Sequence, residues 1–448
     1  MALDFIIIGA DAAGLSAAVQ IKRLRPQASI RIVDKGRFIS YAACGIPYVI
    51  SGEITPFQKL IHFTPESFEK ARGIAVEIGM EAVNIHPGEH SVDIRNLETG
   101  ETQREHYQRL LIATGAAPRP LPFLDYGEDG IFNVHTIEDL NRIIDFLERR
   151  KPRRAAVIGA GNVGLELAEA LTGREIKVLL FEVFPEPAMT WPPLVRKALL
   201  RKIQDKGIEF YPGTAVKQVS RSGQSFILET GDARIEAETI FSVTGTAPAT
   251  DFCRGRLDLE KNGAIRADRR GRTSDPDIYA AGDCAMVYHR FLGRDVYFPL
   301  GSTANKMGRI AGINMAGGDA VFPGIVGTQI LKFFELSVAR TGLSLEDSEQ
   351  AGIRARVYSA KRPDKASYFP GASPAEVEVV LEGETGKIIG AAAVVEGNAA
   401  QFIDPAAVAV FSGMNVADLG WFDSAYAPPF APVWNALISA ALKATQVE

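Results

Sequence analysis

A short apolar strand that runs straight into a glycine-rich turn occurs twice in this chain, 159 − 9 = 150 residues apart. Nothing else in the sequence constrains the fold as much. The first copy is FIIIGADAAG at residues 5–14 and the second is AAVIGAGNVG at 155–164. Downstream, LLIATGAAP at 110–118 is echoed by IFSVTGTAP at 240–248. Each half thus opens on a strand and a glycine turn and closes on a strand that ends in Thr-Gly, at Thr114-Gly115 and Thr244-Gly245. Two copies of one nucleotide-binding unit are the simplest explanation.

The chemistry behind the pattern is specific. Glycines between strand and helix let backbone amides and a helix N-terminus approach a pyrophosphate with no side chain in the way. Gly159-x-Gly161-x-x-Gly164 satisfies the full spacing, and Glu182 closes the next strand 182 − 164 = 18 residues later, where a carboxylate binds ribose hydroxyls. No arginine follows in Val183-Phe184-Pro185 to take a 2′-phosphate, so NADH is favoured over NADPH. In the first loop, Gly9-x-Asp11-x-x-Gly14, an aspartate stands in the middle glycine's place, but Asp34 ends the next strand at the matching distance.

The rest of the chain fits an alternating α/β design. Residues 16–24 and 164–171 read as helices, 30–34 and 177–182 as strands. From about residue 324 the pattern changes to strands at 354–360, 376–381 and 390–396 with a helical tail, which suggests a separate α+β unit. The length of 448 residues calls for several domains. A net charge of −5 provides no basic field for nucleic acid or an anionic membrane. No stretch approaches the roughly 18 apolar residues of a membrane helix, and no targeting segment is evident, so a cytoplasmic enzyme is expected.

The three cysteines, Cys44, Cys253 and Cys284, are too few and dispersed for a disulfide framework, and none is paired with metal-ligand spacing. Cys44 lies in SYAACGIPY, residues 40–48, where Pro47 suits the first turn of a helix. A thiol just before a helix N-terminus is expected to have a lowered pKa.

With TSDPDIYAAGD at 273–283 the sequence resembles the pyridine nucleotide-disulfide oxidoreductase superfamily. The resemblance implies two Rossmann-like domains, for FAD and NAD, and a C-terminal α+β dimerisation domain. The expected boundaries are 1–117 and 249–323 for FAD, 118–248 for NAD(P)H, and 324–448 for dimerisation. Gly9, Gly14, Asp34, Lys35, Thr114, Gly115, Gly282 and Asp283 are then expected at FAD, with Asp283 on the ribityl chain. Gly159, Gly161, Gly164, Glu166, Glu182 and Gly245 are expected at the nicotinamide cofactor. Cys44 becomes the redox thiol and Cys284 a packing residue.

Val49 stands where a second redox cysteine would be, and the last histidine is His289, so the chain resembles the single-cysteine branch of the superfamily. That branch contains CoA-disulfide reductases, NADH oxidases and peroxidases, and CoA-persulfide or sulfur reductases. STANKMGR at 302–309, SYFPG at 367–371 and AYAPPF at 425–430 carry the likeness across the C-terminal part. It implies a homodimer in which Tyr368 and Tyr426 reach the partner's redox cysteine. It also places Gln20, Arg23, Ser40, Arg72 and Asn305 against CoA, with Lys22 and Lys361 or Arg362 as further phosphate contacts. Two departures bear on the acceptor. Ala12 replaces the histidine typical of the oxidases and peroxidases, and Ala43 replaces an asparagine common beside the cysteine in CoA-disulfide reductases. A small disulfide or persulfide is the expected substrate. Oxygen, peroxide or polysulfide as acceptor, or a slow redox-sensing role, are the alternatives.

Overall fold

The computed structural model describes residues 3–445. Its first sheet has a parallel core in the order Val76–Ile78, Ile30–Asp34, Leu3–Ile8, Thr102–Ile112, Ile278–Ala280. The second sheet repeats that order with Glu209–Tyr211, Lys177–Phe181, Arg154–Ile158, Thr239–Ser242 and Ile131–Asn133, all parallel. The central strands are covered on both faces, which is why they read as unbroken apolar runs: Ile6, Ile7, Leu179 and Leu180 are fully buried. Each half also carries an antiparallel three-strand meander. The chain leaves the first half and returns to it through an antiparallel ribbon, Ala116–Pro118 paired with Thr246–Pro248.

The helix Ala12–Leu24, which follows the first glycine loop, packs on Gly301–Met315. Glycine makes the approach possible. A Cβ on Gly308 would sit 2.1 Å from the Ala13 carbonyl oxygen, and one on Gly312 would sit 2.4 Å from that of Ala17. Substitution at Gly308 therefore forces the two helices apart rather than displacing a pliable side chain.

From Gln329 onward, five antiparallel strands run in the order Gln329–Phe333, Leu336–Gly342, Ile388–Val395, Pro374–Glu382, Ala355–Pro363. Helices Ala400–Ser412 and Ala436–Thr445 cover one face through small residues such as Ala406, Ala409, Ala440 and Ala441. On the opposite side, Leu331, Phe333, Val338 and Ala392 share a core with Trp191, Val195 and Leu199 of the second half, and that core extends to Ile46 and Val49 beside Cys44. The buried Arg196 guanidinium fixes the junction with a two-pronged grip on Glu346 (2.8 Å each) and a bond to Glu186 (2.7 Å). The segment carrying Cys44 is thus packed against all three regions of the chain.

Candidate functional site

The two glycine loops superimpose bond for bond. Gly9 N–H donates to Val33 O (2.8 Å) and Gly159 N–H to Phe181 O (2.8 Å). Ala10 N–H donates to the Asp34 carboxylate (2.7 Å) and Ala160 N–H to that of Glu182 (2.8 Å). The other oxygen of each carboxylate takes the amide two residues on, Gly36 at 2.7 Å and Phe184 at 3.1 Å. Both acids are therefore held rigidly at a strand end, facing their glycine loop.

The glycines at the ends of each loop are required by the backbone. Gly9 has φ +106° and Gly159 φ +110°, and a Cβ on either would approach a neighbouring carbonyl oxygen to 2.1 or 2.6 Å. A Cβ on Gly14 or Gly164 would fall 1.8 or 2.0 Å from the oxygen of Gly9 or Gly159. The middle position differs. Gly161 has φ −78° with open space around its missing side chain, and Asp11 has φ −120°. A side chain there costs the fold nothing. It occupies only the approach that a pyrophosphate would use.

Further turns converge on the first loop. Ala281 N–H donates to Ile112 O (3.1 Å), and the bare face of Gly282 lies against the Ala13 side chain, which brings Asp283 to the start of helix Ala12–Leu24. Gly115 and Gly245, both at positive φ, turn the chain after the sheets, and the Thr114 hydroxyl donates to Ala249 O (2.8 Å). Lys35 is exposed beside Asp34. The open backbone cradle, the ribose-distance acid and the Asp283 carboxyl suit a flavin dinucleotide. Burial pushes the Asp283 carboxyl up to about 6.

Cys44 lies in the short turn Ala43–Gly45 leading into helix Ile46–Ile50 and is exposed, whereas Cys253 and Cys284 are fully buried. Its segment is tied to the first loop by Ser40 N–H donating to Ala10 O (3.1 Å), with Ser40 at φ +49°. One expectation is corrected here. The Cys44 thiol is pushed up, not down, by the desolvating cleft walls and by the Glu166, Asp283 and Asp11 carboxyls that face it. A helix of five residues offers too small a dipole to outweigh those charges. Cys284, in contrast, sits against Ile112 O and Ala281 O (3.3 Å each), its thiol pushed up to about 11 by burial.

Glu166, on helix Asn162–Gly173, is pushed up to about 7 by burial and by Glu169. It faces the Tyr48 phenol, a neighbour that sequence reasoning passed over. The available signal was helical spacing, since Tyr48 falls about one turn beyond Cys44. Also missed was Lys332, whose ammonium bonds Glu169 and stands 3.6 Å from Glu53, joining the C-terminal sheet to both dinucleotide halves.

The residues expected to hold CoA fall in several places. Ser16 Oγ–H donates to Asn305 Oδ1 (2.7 Å), which sets Asn305 beside the helix that carries Gln20 and Arg23. Gln20 is buried and Arg23 exposed. The Lys22 side chain runs past Gly73, next to Arg72, so these cations share one corner. Lys361 and Arg362 are elsewhere, lining a cavity of about 310 Å³ with Ser367 and Ser373. The Tyr368 and Tyr426 hydroxyls meet at 3.4 Å on an exposed surface of the C-terminal part. In the same stretch of chain as Tyr426, Phe430, Trp434 and Trp421 are also exposed, with the two tryptophan rings in edge contact.

Two matched dinucleotide loops with one accessible thiol between them define an oxidoreductase that uses FAD and a nicotinamide cofactor. The chain belongs to the pyridine nucleotide-disulphide oxidoreductase family. Residues 3–310 match the family model of that name and 328–437 match its dimerisation domain. The chain is 33% identical to the NAD(P)H sulfur oxidoreductase (CoA-dependent) of Pyrococcus furiosus, with 97% of each chain covered. It is 29% identical to the coenzyme A disulfide reductase of Staphylococcus epidermidis, over 95% of this chain and 96% of that one. Among solved structures, the reduced CoADR-RHD of Bacillus anthracis superposes with TM-score 0.95 at 28% identity, covering 100% of this chain and 81% of the other. No helix among the described residues is long and apolar enough to cross a membrane.

Proposed function

We propose that this enzyme reduces CoA disulfide, or a closely related persulfide, through a mixed disulfide at Cys44. The observation that carries the reading is that Cys44 alone of the three cysteines is accessible, on a segment hydrogen-bonded to the first glycine loop and facing Glu166 of the second half. Gly9, Gly14, Asp34, Lys35, Thr114, Gly115, Gly282 and Asp283 hold FAD in this proposal. Gly159, Gly161, Gly164, Glu182 and Gly245 hold the dinucleotide, with Glu166 at its nicotinamide end. FAD, when bound, supplies the two-electron link between NAD(P)H and the thiol. Glu182 without a following arginine supports a preference for NADH.

The Cys44 thiolate attacks one sulfur of CoA disulfide, a Cys44–CoA disulfide forms, and the first CoA thiolate departs. Two electrons from NAD(P)H then split the mixed disulfide, which restores Cys44 and frees the second CoA. The sum is NAD(P)H, a proton and CoA disulfide giving NAD(P)⁺ and two CoA thiols. Tyr368 and Tyr426, whose hydroxyls meet on an exposed surface, serve the partner subunit in a homodimer by donating a proton or hydrogen bond to the departing thiolate. Gln20, Arg23, Ser40, Arg72 and Asn305 would line the path of the CoA moiety.

Anaerobic NADH oxidation with CoA disulfide as sole acceptor tests this. Rapid turnover that Cys44→Ser reduces by about 10³-fold or more, with flavin content unchanged, is the expected result. Turnover only with polysulfide or oxygen overturns the assignment of the acceptor. Full activity in Cys44→Ser overturns the mechanism.

A further inference from the structure

Asp11 is the one residue by which the two dinucleotide loops differ in charge at the point where a pyrophosphate approaches. The main chain neither requires nor resists it, since its counterpart Gly161 has empty space around it in the same extended conformation. It is the N-cap of helix Ala12–Leu24, yet its side chain makes no capping bond to that helix. The groups that face it come from each surrounding element. They are the Tyr41 amide and phenol and the Cys44 thiol from the Cys44 segment, the Ala12 amide of its own helix, Asp34 from strand Ile30–Asp34 and Asp283 from the turn after Ile278–Ala280. Asp11 is open to the cleft, yet the cleft walls penalise its charge most; two carboxyls repel the carboxylate and two amides attract it. The balance lifts the Asp11 carboxyl to about 7. A bound pyrophosphate adds further negative charge at the same spot, which can only favour the neutral acid more.

We propose that Asp11 makes FAD uptake proton-linked: as the carboxylic acid it donates a hydrogen bond to the pyrophosphate, and as the carboxylate it opposes binding. The sign follows from linkage. Flavin affinity is full below the ligand-free pKa of Asp11 and falls as pH rises beyond it, because each binding event must then take up one proton. The effect belongs to the cofactor site itself and stands whichever disulfide the enzyme reduces.

The test reads FAD affinity rather than turnover. Holoenzyme is diluted serially at pH 6.5, 7.5 and 8.5, and released flavin is followed by its fluorescence. The expected result is a Kd for FAD that weakens by about tenfold between pH 7.5 and 8.5, the limit for one linked proton. In Asp11→Asn, a neutral near-isostere of the acid, the slope should vanish and the affinity at pH 8.5 should match or exceed wild type. A wild-type Kd constant within twofold across this range overturns the proposal, as does an Asn variant that keeps the wild-type slope. Should Asp11→Asn fail to fold, proton uptake by the wild-type apoprotein on FAD addition decides the matter at pH 8. Close to one proton per flavin supports the proposal, and none overturns it. Asp283, pushed up to about 6, titrates near the pH 6.5 point, so the decisive change is the one between pH 7.5 and 8.5.

Discussion

The first and second glycine loops share their strand order, their paired amide-to-acid bonds and their closely packed outer glycines, and they differ in charge at one middle residue, Asp11 against Gly161. The outer glycines answer to the chain's own backbone, where a carbonyl oxygen lies closer than any Cβ can approach. The middle position answers only to the ligand. Both halves therefore keep what the fold needs, while the ligand-facing position differs between them.

Alanine at the last glycine of each loop should break the symmetry most severely. Gly14→Ala, with its Cβ driven to 1.8 Å from Gly9 O, is expected to yield protein without flavin, destabilised by about 4 kcal/mol or more. Gly164→Ala, at 2.0 Å from Gly159 O, should remain yellow while its KM for NADH rises by about 100-fold. Absorbance at the flavin band and NADH titration separate the two. A Gly164→Ala protein that loses flavin would show that the halves do not fail independently.

Neutralising the strand-end acids should have a smaller effect. Asp34→Asn and Glu182→Gln each keep one acceptor for the two amides that hold the acid, and leave the other amide facing an NH₂ group. A loss of about 1–3 kcal/mol in binding is expected, of FAD in the first case and NADH in the second. Equal loss of both cofactors in either variant would deny each acid its own half.

The mildest substitution is the most diagnostic. Gly161→Asp copies the first loop into the second, where space is open at the helix N-cap position. Thermal stability should stay within about 2 °C, whereas KM for NADH should rise by about tenfold as the new charge meets the pyrophosphate. An unchanged KM would mean that the middle residue does not meet the pyrophosphate.

The alternating strands, both loops and their acids were legible in the sequence because glycines at fixed spacing record a local backbone demand. Even the strand Ile30–Asp34 and the helix around residues 164–171 were readable to within a few residues. Tyr48, Lys332 and the Arg196–Glu346 junction were not, because each owes its place to contacts between distant segments that no local pattern records. The Cys44 pKa was misread for the same reason. The helix after it was visible, but its shortness and the convergence of Glu166, Asp283 and Asp11 from separate parts of the chain were not.

The ribbon of Ala116–Pro118 and Thr246–Pro248 has a consequence for how such an enzyme is assembled and altered. In its register Pro118 lies opposite Thr246, so the points where the second half departs from and rejoins the first are neighbours. Topologically the second half is a cassette set into a loop of its host. It is open to exchange for another dinucleotide module through two adjacent splice points, with the thiol and flavin chassis left uncut. The seams such a graft would have to refit are the interfaces at Lys332 and Arg196, not the chain crossings themselves.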